Sequence, residues 1–399
     1  MPVALAPLLE AARKTQPEVV ALRRRLHEEP ELGLALPETR RRVLEALSDL
    51  DLELELHERS DALVAILRGG RPGPALLLRA DMDALPMPED TDLPFRSRRP
   101  GAMHACGHDA HTAMLVGAAH LLAAHRQDLA GDVVFAFQAG EEGHFGARFM
   151  LDEGLLERTP AVEAAFALHV TPLLPPGMVI TRPGPLMASA DVIGIDLVGR
   201  GGHASMPHDC VDPVPVACEI VQALQSFVTR RVPAFDPVVL TVTRIAAGTT
   251  NNVIPETVHL EGTLRAVSDA SRRRAHEGIR QVAEGVARAH GVEARVAIAE
   301  GYPVTVNDAA ATAFAVDVAR GLLGEGRVVE LPSPIMGAED FSYLLERVPG
   351  AMLFLGVKPE GAGTPAPCHS NRMVLDEEGL VFGTALHAAL ALARLAPAA

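Results

Sequence analysis

Short, uninterrupted apolar runs alternate with helical patterns along most of this chain, and that alternation restricts the fold more than any other feature. ALVAIL (62–67), ALLLRADM (75–82), DVVFAFQA (132–139) and EAAFALHV (163–170) are too apolar to present a wet face. Strands buried on both faces belong to a largely parallel sheet covered by helices. Helical patterns at 17–29, 37–50, 108–125 and 144–153 supply the cover. The same style returns after residue 303, with helix 308–323, strand 327–331, helix 338–347, strand 351–357 and helix 376–395.

Between these stretches, from about residue 186, the pattern changes. DVIGIDLVGRGGHAS (191–205) alternates apolar and polar residues, as a half-exposed strand does. A helix (213–230), two alternating strands (238–248 and 257–267), a charged helix (269–290) and a strand (292–300) follow. The order β-α-β-β-α-β is a ferredoxin-like arrangement with a mostly antiparallel sheet, helices on one face and the other face open. The expected fold class is α/β: a mostly parallel-sheet domain in two pieces, 1–186 and 303–399, with an inserted ferredoxin-like α+β domain, 187–302. A length of 399 residues suits two domains.

Charge and cysteine content narrow the function classes. There are 36 Lys and Arg against 51 Asp and Glu, a net charge of −15. Such a chain repels phosphate backbones, so no nucleic-acid partner is expected. The clusters Arg23–Arg25 and Arg272–Arg274 read as solvated helix faces. No leader pattern opens the chain and no apolar run is long enough to span a bilayer, so no membrane association is expected. ALHAALALARLAPAA near the C-terminus is interrupted by His387 and Arg394 and reads as a packed helix. Cys106, Cys210, Cys218 and Cys368 do not make a disulfide framework, and a cytoplasmic protein is expected. Each is by default a small buried apolar residue. Only Cys106 has neighbours that argue for more.

Open parallel sheets bind ligands beyond the carboxyl ends of their strands, and chemically able residues collect there. Asp81 and Asp83 end one strand, Glu141 and Glu142 follow the next, and His169 ends another. His369 lies in the loop after MLFLGV, and MHACGHDAHTAM (103–114) places His104, Cys106, His108, Asp109 and His111 around a helix start. Each has a plain structural reading: a hydrogen-bonded strand-end histidine, a solvated glutamate pair, a turn cap at Asp83. Their shared placement is the stronger signal. Cys-x-His is compatible with a thiolate and an imidazole ligand from one loop. Adjacent glutamates point different ways, so one can hold a metal while the other faces an acidified water as a base. A ligating histidine usually has a carboxylate behind its ring, and Asp83 is the candidate.

RADMDALP (79–86), MHACGHDAHTAMLVGAA (103–119), FQAGEEG (137–143), GGHASMPH (201–208), NNVIP (251–255), EGTLR (261–265), MGAEDFS (336–342) and CHSNRMVLDEEGL (368–380) follow one another in an order that resembles the aminoacylase-type metallopeptidase family. The likeness spans almost the whole chain. It is strongest to the branch of hippurate hydrolases, N-acyl-amino-acid amidohydrolases and auxin–amino-acid conjugate hydrolases, to which the ACGHDxHT block is specific. The resemblance implies two divalent metals (Mn, Zn, Ni or Co) held by Cys106, His108, Glu142, His169 and His369, with Glu141 as general base. It implies that the larger domain is catalytic and that the insert is a lid that also builds a homodimer. His203 would reach a neighbouring protomer's site to stabilise a tetrahedral oxyanion, and Asn252 and Arg265 would hold the substrate carboxylate. The implied substrate is a small N-acyl-L-amino acid, hippurate-like or N-acetyl, cleaved to a carboxylic acid and an amino acid.

On this reading His104 and His111 are bystanders, Asp109 serves the helix start, and His144 is not a ligand. The branch often has Pro-Ala where this chain has Ala139-Gly140, which puts the rigidity of that loop in question. Competing readings are a dipeptidase or exopeptidase of the same superfamily, and a metal-binding protein without chemistry. The latter would lack a ligand or the base, and none is missing. A thiol hydrolase built on Cys106 and His108 leaves the glutamates, His169 and His369 unexplained.

Overall fold

The computed structural model describes residues 6–158 and 160–397. Its elements begin with α1 (Ala6–Glu28), α2 (Pro37–Leu47), β1 (Glu53–Leu56), β2 (Leu63–Leu67), β3 (Arg71–Asp81), α3 (His108–Ala124) and β4 (Ala130–Gln138). There follow α4 (Gly146–Asp152), α5 (Leu155–Arg158), β5 (Val162–Thr171), β6 (Val179–Thr181), β7 (Gly184–Met187), β8 (Asp191–Val198) and β9 (Gly202–His203). Next come α6 (Pro213–Arg231), β10 (Val238–Ala247), β11 (Val253–Ile254), β12 (Thr257–Ala266), α7 (Asp269–Ala289), β13 (Glu293–Glu300) and β14 (Thr305–Asn307). The chain closes with α8 (Ala309–Leu323), β15 (Val328–Glu330), α9 (Ser342–Leu345), β16 (Gly350–Gly356) and α10 (Gly379–Arg394).

The chain divides into two compact units. The first comprises Met1–Gly184, Val306–Pro332 and Tyr343–Ala399. It holds an eight-stranded sheet in the order β1-β2-β4-β3-β5-β16-β6-β15. Its central strands β4, β3, β5 and β16 run parallel, so their carboxyl ends meet one edge. Leu76, Leu77, Leu78, Phe135, Phe137, Phe166 and Leu353 are buried there, as strands covered on both faces require. The covering helices α1, α3 and α10 pack on one another. Both α3 and α10 are buried along almost their whole length, including His387. A helix apolar on all sides belongs inside a large domain.

The second unit comprises Pro185–Thr305 and Ser333–Ser342. Its antiparallel sheet runs β10-β12-β8-β13. With α6 and α7 it follows the β-α-β-β-α-β order, and its core lies between the helices and one sheet face, at Ile195, Leu197, Ile220, Leu260, Leu264 and Ile279. The other face stays open, leaving Val192, Val239 and Ile245 exposed. Ser333–Ser342 joins this unit although the sequence places it in the larger domain, because Ala188 N–H lies 3.1 Å from the Ile335 carbonyl and 2.8 Å from that of Gly337.

Several local expectations need correction. The first helix begins at Ala6 and runs through Pro17. Proline removes one intrahelical hydrogen bond, and burial of Leu8 and Ala12 on the turns before it offsets that loss. The helix expected at 338–347 is reduced to Ser342–Leu345. Arg23 and Arg272 do not lie on solvated faces. Arg272 is buried against Asp191, which also bonds His276 at 2.7 Å and the Gly301 amide at 3.1 Å. Arg23 is buried with its Nε 2.7 Å from Asp109, and His27 Nδ1 lies 2.8 Å from the same Asp109 oxygen. Asp109 therefore ties α1 to α3, and its side chain caps nothing.

Burial opposes the charge on Asp109, but Arg23 and His27 outweigh it and hold the carboxyl below the usual aspartate range. A depressed carboxyl stabilises the fold above the unfolded-state pKa and loses that contribution as pH falls through the folded value. Asp109→Ala should cost about 3 kcal/mol in metal-free denaturant unfolding, by removing the carboxylate that Arg23 and His27 share and leaving them only Glu377 and Glu89. Its stability should also fall less steeply than the parent's below about pH 4. An unchanged midpoint and acid limb would show that Asp109 carries no such load.

Candidate metal centre

The centre is assembled from the carboxyl ends of the parallel strands of the first unit. β3 ends at Asp81, whose Oδ2 accepts from Arg79 at 2.7 Å and whose Oδ1 lies 2.6 Å from His111 Nδ1. His111 Nε2 accepts the Val170 amide at 2.8 Å. Because that nitrogen accepts, Nδ1 carries the proton and donates to Asp81. Both ring nitrogens are occupied, so His111 is an anchor between α3 and the sheet. It stands near enough to Asp81 and His108 to complete a donor group with them, but its hydrogen bonds argue against ligation.

Gly107 starts α3 with φ +88°. A Cβ there would lie 2.3 Å from Val170 Cγ2, so only glycine lets the Cys106–His108 loop approach β5. Cys106 Sγ sits 3.4 Å from His169 Nε2. His169 Nδ1 donates to the Val170 carbonyl at 2.7 Å, which leaves Nε2 with its lone pair toward the sulfur. His369 comes from the loop after β16. Its φ is +66°, uncommon for a residue with a side chain, and its N–H donates to the Ala105 carbonyl at 2.7 Å. Its Nε2 lies 3.2 Å from Glu142 Oε1.

Asp83 fixes the glutamate turn. Its two oxygens accept the amides of Glu141 at 2.9 Å and Glu142 at 3.0 Å, and Oδ1 also lies 3.5 Å from His108 Nδ1. The turn-cap and ring-partner readings of Asp83 thus meet in one side chain. Gly140 takes φ +75°, and a Cβ there would lie 2.5 Å from Leu34 Cδ2. Glycine here is demanded by the packing, and the bonds to Asp83 hold the turn in place of a proline.

Three donor groups, each with one ligand atom per residue within 4.8 Å of the others, overlap here: Cys106 with His108 and His169, Cys106 with Glu142 and His369, and His108 with Glu141 and Glu142. Cys106 belongs to the first two. Neither nitrogen of the buried His108 makes a hydrogen bond; the nearest carboxylates are Asp83 at 3.5 Å, Asp81 at 3.6 Å and Glu142 at 3.9 Å. Burial lowers the His108 pKa, but those carboxylates outweigh it and raise it to about 10. Burial, followed by His111, lowers His169 to about 3. Cys368 first, then burial, pushes the Cys106 thiol up. An imidazole with no hydrogen bonds, a thiol, two further imidazoles and clustered carboxyls fit a pair of divalent cations. His104 is also buried without hydrogen bonds, but it joins none of these donor groups.

Sequence reasoning placed Asp81 at the strand end without giving it a role and read His111 as a bystander, without its bonds to Asp81 and Val170. The signals were an aspartate closing an apolar strand and a histidine one helical turn beyond His108.

His203, Asn252 and Arg265 lie in the second unit. His203 pairs with Val253 across β9 and β11. Its exposed ring accepts the Ser205 amide at Nδ1, 3.1 Å away, which places a ring proton on Nε2. Asn252 is exposed, and its carbonyl accepts the Ala204 amide at 3.1 Å. Arg265 is half-buried, bonded to the Leu264 carbonyl at 3.1 Å and to the Thr263 hydroxyl. Among the described residues it makes no ion pair.

The profile of peptidase family M20/M25/M40 matches residues 77–393. "Thermostable carboxypeptidase 1" of Saccharolobus solfataricus is 37% identical over 95% of this chain and 96% of its own length. "IAA-amino acid hydrolase ILR1-like 4" of Arabidopsis thaliana is 39% identical over 94% and 84%. "N-acetylcysteine deacetylase" of Bacillus subtilis is 38% identical over 94% and 96%. Among solved structures, the Bacillus subtilis YXEP protein, a dinuclear metal binding peptidase of the M20 family, superposes with a TM-score of 0.83 at 34% identity, covering 96% of this chain and 99% of that one.

Metal binding requires deprotonated ligands. The metal-free chain holds protons on His108 and Cys106 at neutral pH, so uptake should release about two protons per chain and affinity should weaken as pH falls. Titration calorimetry in buffers of different ionisation enthalpy measures this. Uptake with no proton release would contradict the assignment of these two ligands.

Proposed function

The chain belongs to peptidase family M20/M25/M40, and from that footing we propose that it hydrolyses the amide bond of N-acyl-L-amino acids, hippurate-like or N-acetyl. The observation that carries the reading is the overlap of two donor groups at Cys106 beside a second, adjacent glutamate. Cys106, His108, Glu142, His169 and His369 would hold two divalent cations, Mn, Zn, Ni or Co. Bound there, such cations would acidify a water and polarise the acyl carbonyl.

The chain's own residues do the remaining work. Glu141 is 6% exposed, and Asp83 fixes its backbone. It takes the proton of the attacking water and returns it to the leaving amine nitrogen. The acyl carbon gains oxygen as the C–N bond breaks, giving a carboxylic acid and an amino acid. His203 presents an Nε2–H suited to a developing oxyanion, delivered from a partner protomer. Asn252 and the Arg265 guanidinium suit a substrate carboxylate. The open sheet face of the second unit, with Val192, Val239 and Ile245 exposed, supports a homodimer built through that unit. No helix among the described residues is long and apolar enough to cross a membrane. Four cysteines outside any disulfide fit a cytoplasmic setting. The carboxypeptidase relative favours a second reading, exopeptidase activity on peptides.

The test is a panel of hippurate, N-acetyl amino acids, indole-acyl amino acids and free dipeptides, run on metal-quantified protein. Acyl amino acids should be cleaved and dipeptides with a free α-amino group spared; the reverse would favour the exopeptidase. Glu141→Gln should keep its metal and lose about 10²–10⁴-fold in turnover, and an active, metal-replete variant would remove Glu141 as the base. Sedimentation of the same protein should show a dimer; a fully active monomer would count against His203 acting between protomers.

A further inference from the structure

Beside the centre lies a second thiol that the proposed chemistry does not use. Cys368 precedes His369, and its Sγ lies 3.9 Å from the Val170 carbonyl. Cys106 Sγ lies 3.4 Å from the ring of His169. The two sulfurs therefore sit against neighbouring residues, His169 and Val170, at the end of β5. The loops that carry them are joined directly, since His369 N–H donates to the Ala105 carbonyl at 2.7 Å. Residues 106 and 368 thus flank one backbone hydrogen bond, the kind of approach a disulfide needs. Neither thiol is in a disulfide. Cys106 is buried and Cys368 half-buried. The remaining pair, Cys210 and Cys218, belongs to the second unit.

We propose that Cys106 and Cys368 are a thiol–disulfide modification site: without metal, peroxide joins them in a reversible cross-link that withdraws Cys106 from metal binding. This rests on Cys106 being a ligand. The more exposed Cys368 sulfur attacks the peroxide, the O–O bond breaks, and a sulfenic acid forms with release of one water. The Cys106 sulfur then displaces the sulfenic oxygen, which leaves as a second water, and the S–S bond forms. Two thiols lose two electrons and two protons, and one hydrogen peroxide becomes two waters. A cation on Cys106 occupies the sulfur that must make this second attack, so metal and cross-link exclude one another. Cys106 acts as the resolving thiol, and the cross-link stops oxidation of either sulfur before the irreversible sulfinic and sulfonic steps.

The test treats the full chain with hydrogen peroxide, metal-free and manganese-loaded, then counts alkylatable thiols and maps peptides by mass spectrometry. In the metal-free chain the count should fall from four to two, with Cys106 and Cys368 peptides linked and two hydrogens lost. Dithiothreitol should restore both the thiols and manganese uptake. The loaded chain should yield no linked Cys106–Cys368 peptides and should keep Cys106 reduced. Cys368→Ser should instead carry sulfinic or sulfonic acid on Cys106, and dithiothreitol should not restore its manganese uptake. A metal-free chain without the linked peptides overturns the inference. If Cys106→Ala still abolishes manganese uptake in that case, the ligand reading stands alone. A cross-link that forms equally in the loaded chain, together with normal uptake by Cys106→Ala, sinks both.

Discussion

Parallel strands finish on the same side of a sheet, and in this molecule that constraint brings acid, thiol and imidazole together. Asp81 ends β3, the Glu141–Glu142 turn leaves β4, His169 lies near the end of β5 and His369 follows β16. No local sequence rule would join residues so far apart; the common direction of β4, β3, β5 and β16 does. Helix α3 then closes the group from one side, because Gly107 allows a backbone approach that any side chain would block. The rest of the first unit serves this edge: two helices buried on nearly all sides, and a buried Arg23–Asp109–His27 cluster that locks α1 to α3.

Energetically the edge is an unfavourable place when metal-free. A carboxylate or imidazolium removed from water is costly unless paired, and His108 has charge nearby but no hydrogen bond. His169 is kept neutral by burial, with its acceptor nitrogen aimed at Cys106. One ring is thus held protonated by its carboxylates and the other is already stripped. Divalent cations bound there would relieve both conditions, replacing a proton on His108 and using the lone pair on His169. The positive φ of His369 fits the same picture, since strained backbone is retained where a site demands it.

Continuous apolar strands and the shift to alternation near residue 186 made the two architectures legible in the sequence, because burial on two faces and on one leave different periodicities. The residues at the strand ends were legible for the same reason: they are polar groups where an apolar run stops. Partnerships across long separations were not. Nothing near Arg23 or Arg272 in sequence announces Asp109 or Asp191, so both arginines read as surface residues and proved buried. Asp109 reads as a helix-start residue because that is its local position, while its partners lie on another helix. Pro17 reads as a helix start because proline suits a first turn; only the burial of Leu8 and Ala12 shows why the helix extends before it.

The central claim is that one sulfur, Cys106, is shared by two cation sites. Elemental analysis of parent and Cys106→Ala protein, each equilibrated with manganese and freed of excess, tests it most directly. Two cations per chain in the parent and loss from both sites in the variant is the predicted result. A variant that keeps two cations per chain would contradict it.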